Sequence, residues 1–447
     1  MKIIWFALWL SGAALAAPSY FRDVRPILQR QCQGCHQPAS KSAGLDLTTY
    51  QALQTGGRRG SPWVAGKPEE SLLVKYLTGE VKPQMPLGAP PLTAAEIDLF
   101  RQWIRATPAD DTPAEARDDG PAKPAVYLQP PVITALAFSP DGKWLASSGN
   151  REILLTEIAT GKLQRLPGLA ERILSLSFSA DGQWLLAGGG TPARFGEIQI
   201  WEVAAGTLKK SVTLTSDTVF GAAFSPDGRK VALGGADNSV RVHDAASGAE
   251  LFRMGSHENW VLGTVFSVDG KRLVTISRDR AAKLTDATSG AFLENVNLLH
   301  GELAAVARHP NQDLIVIGGE ERVPYIYLMD RPKNMKIADD TTLVRKLERQ
   351  NGAIIALAWA PDGRQIAVAG AAPEVNLYDA GNGQKLAACT GHAAGIYALA
   401  FSPDSKTLAT AGFDGLIRLY EAASGKLVKS FVAAPLSAGT PSDGGSR

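Results

Sequence analysis

Seven times along this chain an apolar run ends in a short polar turn and a second apolar run begins. Four copies read Phe138-Ser139-Pro140-Asp141-Gly142, Phe178-Ser179-Ala180-Asp181-Gly182, Phe224-Ser225-Pro226-Asp227-Gly228 and Phe266-Ser267-Val268-Asp269-Gly270. A worn fifth copy is Arg308-His309-Pro310-Asn311, and Trp359-Ala360-Pro361-Asp362-Gly363 and Phe401-Ser402-Pro403-Asp404 complete the set. The copies lie 40 to 51 residues apart, which is the period of a four-stranded propeller blade. Asp-Gly supplies a hairpin turn between the first two strands. Val240-Arg241-Val242-His243-Asp244 alternates as a third strand, and Ser247-Gly248-Ala249-Glu250-Leu251 turns into a fourth. Residues 126–432 are therefore predicted to form an all-β seven-bladed propeller. A strand at 126–129 is expected to pair with the last three strands, closing the ring and leaving no open edge.

Over about 300 residues these repeats resemble the WD-repeat family. The last copy carries the clearest likeness: Gly391-His392 precedes it, Asp414 lies before its third strand, and Tyr420-Glu421 stands where the family has Trp-Asp. The resemblance implies a buried hydrogen-bond chain of His392, Thr410, Asp414 and Tyr420. In the fourth repeat it implies His257, Thr275 and Asp279, with Thr285 at the Trp position. Elsewhere the His is lost. His243, His257, His300, His309 and His392 are scattered, with no readable Ser-His-Asp set or metal cluster, so each reads as structural. Cys389, on a predicted strand, reads as a buried hydrophobe. The insertion at 331–350 in the fifth repeat reads as a solvated loop, with a contact to a partner or to the N-terminal domain as the alternative. The Ser/Gly/Pro-rich tail, 433–447, reads as disordered.

The 447 residues exceed one ordinary domain, and the residues before 126 hold no copy of the repeat. With 20% charged residues and a net charge of +2, nothing points to nucleic acid or a strongly anionic membrane surface. The N-terminus reads as an export signal, residues 1–16: Lys2, an apolar run from Ile3 through Leu10, and the small-x-small site Ala14-Leu15-Ala16. An uncleaved anchor is the alternative, although the run is short for a bilayer and no later segment approaches about 20 apolar residues. A periplasmic or otherwise exported protein, without a membrane span once the signal is cleaved, is expected.

Just inside the mature chain stands Cys32-Gln33-Gly34-Cys35-His36. Two thiols at this spacing add to the two haem vinyl groups, and the following imidazole falls beneath the iron. A zinc site wants four ligands, and this domain holds no second Cys/His pair. A redox dithiol wants a βαβ setting, which is absent. The preceding segment, 20–31, is helix-like, with Phe21, Val24 and Leu28 on one face. For the sixth ligand, His36 is the only His before residue 243, and Met85 is the only Met between the signal and residue 254. Met85 sits in Lys82-Pro83-Gln84-Met85-Pro86, a proline-stiffened loop rather than an apolar face. Beyond it, Thr93-Ala94-Ala95-Glu96 is a capping box. It opens a helix to about Ala106 whose stripe is Ile97, Phe100 and Ile104, widened by Leu99 and Trp103.

From 21 to about 107 the chain is similar to the planctomycete-type cytochrome c domain. The likeness rests on Val24-Arg25-Pro26-Ile27-Leu28, Cys32 through His36, Gly66-Lys67-Pro68-Glu69-Glu70-Ser71-Leu72, Gln84-Met85-Pro86, and Leu92-Thr93 through Trp103-Ile104. It implies that Cys32 and Cys35 attach one haem c covalently, that His36 is the proximal ligand and that Met85 is the distal ligand. The expected organisation is a small all-α cytochrome c domain (17–107), a Pro/Ala/Asp/Glu-rich linker (108–125) and the propeller. The expected function is electron transfer, with the propeller docking a redox partner protein or organising a complex. Two alternatives stay open: a haem oxidoreductase whose propeller binds the substrate, and a haem sensor or peroxidase.

Overall fold

The computed structural model describes residues 17–37, 42–87, 90–113, 126–168, 170–215, 217–255, 257–298, 301–330 and 341–437. The expected export signal, most of the linker, the start of the fifth-repeat insertion, His300 and the end of the tail lie outside the described residues. Among the described residues, those up to Cys32 and from Ser42 to 113 form one compact unit. Residues 33–37 group with the second unit, which continues from 126.

The first unit is helical. Its chain enters through a π-helical turn, Tyr20–Val24, in which the Asp23 and Val24 N–H groups both reach the Ser19 carbonyl, at 3.1 and 3.2 Å. That turn leads directly into α1, Arg25–Gln31. Tyr20, Val24, Ile27 and Leu28 are buried. Phe21, expected on that face, is only half buried and lies beneath the Arg25 guanidinium. Helix α2, Tyr50–Thr55, is capped by Thr49. Helix α3, Leu72–Thr78, stops at Gly79, whose φ of 78° suits a residue without a Cβ. Helix α4, Ala94–Arg105, has the expected capping box: the Glu96 N–H donates to Thr93 Oγ1 at 3.2 Å, and the Thr93 N–H donates to Glu96 Oε2 at 2.9 Å. Phe100, Trp103 and Ile104 of α4 join Tyr20, Leu28, Leu53 and Leu77 in a single core. Within it Tyr20, Tyr50, Trp63 and Trp103 contact one another in a closed ring of four, with centroids 5.1 to 6.0 Å apart.

The chain does not leave this unit at residue 107. Pro108 accepts the Tyr50 hydroxyl at 2.8 Å, Asp110 accepts the Gln51 amide at 2.9 Å, and Asp111 accepts the Phe21 N–H at 2.8 Å. The first residues of the polar linker thus extend the helical unit, because short acidic side chains can satisfy its exposed donors.

The second unit holds seven four-stranded antiparallel sheets, each built from four consecutive strands. The inner strands are Leu136–Phe138, Arg172–Phe178, Val219–Phe224, Val261–Phe266, Leu303–Arg308, Ile354–Trp359 and Ile396–Phe401. Each ends on the first residue of a repeat copy. The turn that follows explains the repeat. In blade one, Ser139 donates to Asp141 Oδ1 at 2.6 Å and accepts the Trp144 N–H at 2.9 Å; Asp141 also accepts the Lys143 N–H, and Gly142 takes a φ of 72°. The same Ser–Asp pair recurs at 179/181, 225/227, 267/269 and 402/404. Each such carboxyl is held below its usual range, first by the Ser hydroxyl and then by a backbone N–H.

Ring closure corrects one expectation. Residues 126–129 add no strand to the last blade, whose sheet comes entirely from its own four strands. Instead Tyr127 forms a parallel bridge with Leu436, donating to the Pro435 carbonyl at 2.7 Å and accepting the Ser437 N–H at 3.0 Å. The seam is filled by a shared cluster of Ile133, Leu136, Leu145 and Leu154 from the first blade with Ala409, Ala411, Ile417 and Leu419 from the last. The Tyr127 hydroxyl donates to the buried Glu152 at 2.7 Å, and Glu152 also holds Arg165 through two hydrogen bonds of 2.6 and 2.7 Å.

Candidate haem site

Helix α1 ends where the haem motif begins. The Cys32 N–H donates to the Leu28 carbonyl at 2.9 Å, so Cys32 is the helix C-cap. It is half buried, and the chain continues through a turn in which Cys35 is exposed and His36 half buried. A short helix with Pro26 in its first turn fixes the exit point of the chain, and with it the place of the first thiol.

Met85 arrives from the other side of the sequence and is anchored to the end of α3. A helix end leaves its last carbonyls without intrahelical partners. Here the returning loop supplies them: the Val81 N–H donates to Lys75, the Met85 N–H to Tyr76, and the Gln84 amide to Leu77, at 3.1, 3.0 and 3.2 Å. Pro83 and Pro86 flank these donors and contribute no N–H. Met85 is half buried against the same core that Cys32 packs on. Two sulfur-bearing side chains 53 residues apart thus pack, partly buried, against one apolar cluster. Two residues after Met85, Leu87 is 68% exposed, an apolar side chain with little protein cover. Thiols, an imidazole and a thioether suit haem iron and its vinyl groups, and an open apolar edge suits a porphyrin face. Sequence reasoning missed Gln84; its position next to Met85 was visible, but its reach to the α3 carbonyl was not.

The propeller's polar chains form in part as expected. In blade four, His257 Nδ1 lies 2.8 Å from Asp279 and Nε2 lies 2.8 Å from Thr275. Burial pushes the Asp279 carboxyl up, but hydrogen bonds from His257 and from the Glu258 and Ala281 N–H groups outweigh it and hold the group well below the usual range. Thr285, at the Trp position, is fully buried and its hydroxyl finds no partner. In blade seven, His392 Nε2 meets Thr410 at 2.6 Å, but Arg418 intervenes on the other side, donating to both His392 Nδ1 and Asp414, at 2.9 and 2.7 Å. His392 Nδ1 thus faces a guanidinium donor, where His257 Nδ1 in blade four faces a carboxylate. Tyr420 does not join this chain; its hydroxyl donates to the Thr390 carbonyl at 2.7 Å. Blade two, which lacks the His, uses a different buried chain. Trp201 donates to Gln199, and Gln199 and Ser211 donate to the fully buried Glu197.

A small helical domain carrying this thiol–imidazole motif, followed by seven four-stranded blades, defines a cytochrome c domain joined to a WD-repeat propeller. Residues 32–86 match the family model described as Planctomycete cytochrome C. Residues 128–155, 206–244 and 383–421 match WD domain, G-beta repeat, and residues 306–399 match Anaphase-promoting complex subunit 4 WD40 domain. The chain is a planctomycete-type cytochrome c domain fused to a seven-bladed WD-repeat β-propeller. No curated protein matches it. Among the described residues no helix is long and apolar enough to cross a membrane.

Proposed function

We propose that this chain is an exported electron-transfer protein that carries one covalent haem and docks a redox partner protein through its propeller. Cys32 and Cys35 would attach the haem, and His36 and Met85 would ligate it. When bound, the haem supplies a one-electron ferrous/ferric couple. The chain's own part is to fix the donors. The C-cap of α1 sets Cys32, and the α3 carbonyls hold the backbone and neighbour of Met85. Ligation by both a histidine and a methionine would favour electron transfer over oxygen or peroxide chemistry. WD-repeat propellers generally mediate protein interactions, and that supports the docking role.

The observation that carries this reading is that Cys32 and Met85, far apart in sequence, both pack against one apolar core. Its test is to produce the full chain in a host with a c-type maturation system, denature it, and extract it with acidified organic solvent. The pigment is expected to stay with the polypeptide and to appear in the osmotic-shock fraction. Pigment that leaves with the solvent would end the covalent reading.

A further inference from the structure

We infer that Gln84 is a positioning residue for Met85, and that it sets how firmly the thioether is held toward the haem. The inference rests on Met85 being the distal ligand, as proposed above. The loop after α3 has three anchors, and they are unequal. Val81 is tied four residues before Met85, by one backbone N–H. Met85 is tied by its own N–H to a carbonyl that also accepts the Gly79 N–H, so the Tyr76 oxygen is shared between two donors. Gln84 alone uses a side chain, and it alone reaches the Leu77 carbonyl, at 3.2 Å.

The same side chain is fitted against Gly79. A Cβ at Gly79 would stand 3.0 Å from both Gln84 Cδ and Oε1, and Gly79 already has a φ of +78°. Gly79 thus ends the helix and leaves room for the Gln84 amide to fold back over it. The prolines on either side offer no N–H to compensate for its loss. Without the Gln84 amide the backbone next to Met85 keeps only the shared bond to Tyr76. A residue beside the ligand, rather than the ligand, then decides how often the thioether is in place.

The test compares Gln84→Met, which keeps length and loses the donor, with Gln84→Lys, which keeps a donor of similar reach. Met85→Ala serves as the reference for full loss. All three are made in the holo full-length chain. The readouts are the far-red methionine-to-ferric charge-transfer band, the midpoint potential, and the rate at which added imidazole displaces the native ligand. Loss of one net hydrogen bond changes the loop-opening equilibrium about fivefold. Gln84→Met should therefore bind imidazole about fivefold faster than the wild type at unchanged thermal stability of the β-sheet signal. Gln84→Lys should restore most of the wild-type rate. If Gln84→Met matches the wild type in imidazole rate while Met85→Ala loses the band, Gln84 has no positioning role and the ligand assignment stands. If Met85→Ala retains the wild-type band, the ligand assignment fails and this inference fails with it.

Discussion

Thr275 and Thr285 lie on neighbouring strands of blade four, Arg272–Ser277 and Ala282–Asp286, and both are fully buried. Replacing either with valine makes the same chemical change, a hydroxyl for a methyl. The expected effects have opposite sign. The Thr275 hydroxyl is 2.8 Å from His257 Nε2. Thr275→Val removes that partner and leaves Nε2 buried and unpaired. That costs about 1–3 kcal/mol. The Thr285 hydroxyl has no partner to lose, so Thr285→Val removes an existing desolvation penalty and gains about 1 kcal/mol. For a domain of this size about 1 kcal/mol moves the melting temperature by roughly 2 °C. The two variants should therefore separate by about 4–8 °C, on either side of the wild type, when the β-sheet signal of the full chain is followed on heating. If Thr285→Val loses as much stability as Thr275→Val, the hydroxyl at 285 has a hydrogen-bond partner and the satisfaction argument is wrong.

Further predictions concern the seam, the acid limb and the ligand. Glu152→Ala removes the acceptor of both Arg165 and Tyr127 beside the ring closure; breaking a buried pair in this way should cost about 3 kcal/mol, read as a lower urea midpoint. Asp279 has a folded-state pKa below its unfolded value, so its contribution is full above about pH 4 and is lost as pH falls through the folded value. Stability should therefore fall less steeply below about pH 4 in Asp279→Asn than in the wild type; parallel curves would contradict this. Met85→Ala should keep its pigment through denaturation but lower the midpoint potential, measured by redox titration.

Much of the architecture was readable because its determinants are local. The Ser-x-Asp turn and the capping box at Thr93–Glu96 each settle a few bonds between near neighbours, so their residues announce them. The failures lie where the outcome depends on distant partners. Stripes begun at Phe21 and at Tyr20 both fit the helical step, and Tyr20 is the one that finds Tyr50 and Trp103 to pack against. The seam at Tyr127 is chosen by what residues 433–437 offer, not by the apolar character of 126–129. Tyr420 matched by position, but its hydroxyl donates to the Thr390 carbonyl instead. Arg418, Gln199 and Gln84 are polar residues of ordinary appearance, and only their neighbours in space give them a role.

The central claim concerns two thiols and one porphyrin. Trypsin cutting after Arg30 and Lys41 releases a peptide of residues 31–41 that contains Cys32, Cys35 and His36. Mass spectrometry of that peptide from the mature, matured-host protein should give the polypeptide plus one haem, with neither cysteine open to alkylation. A peptide of bare polypeptide mass, with both cysteines alkylated, would contradict the account.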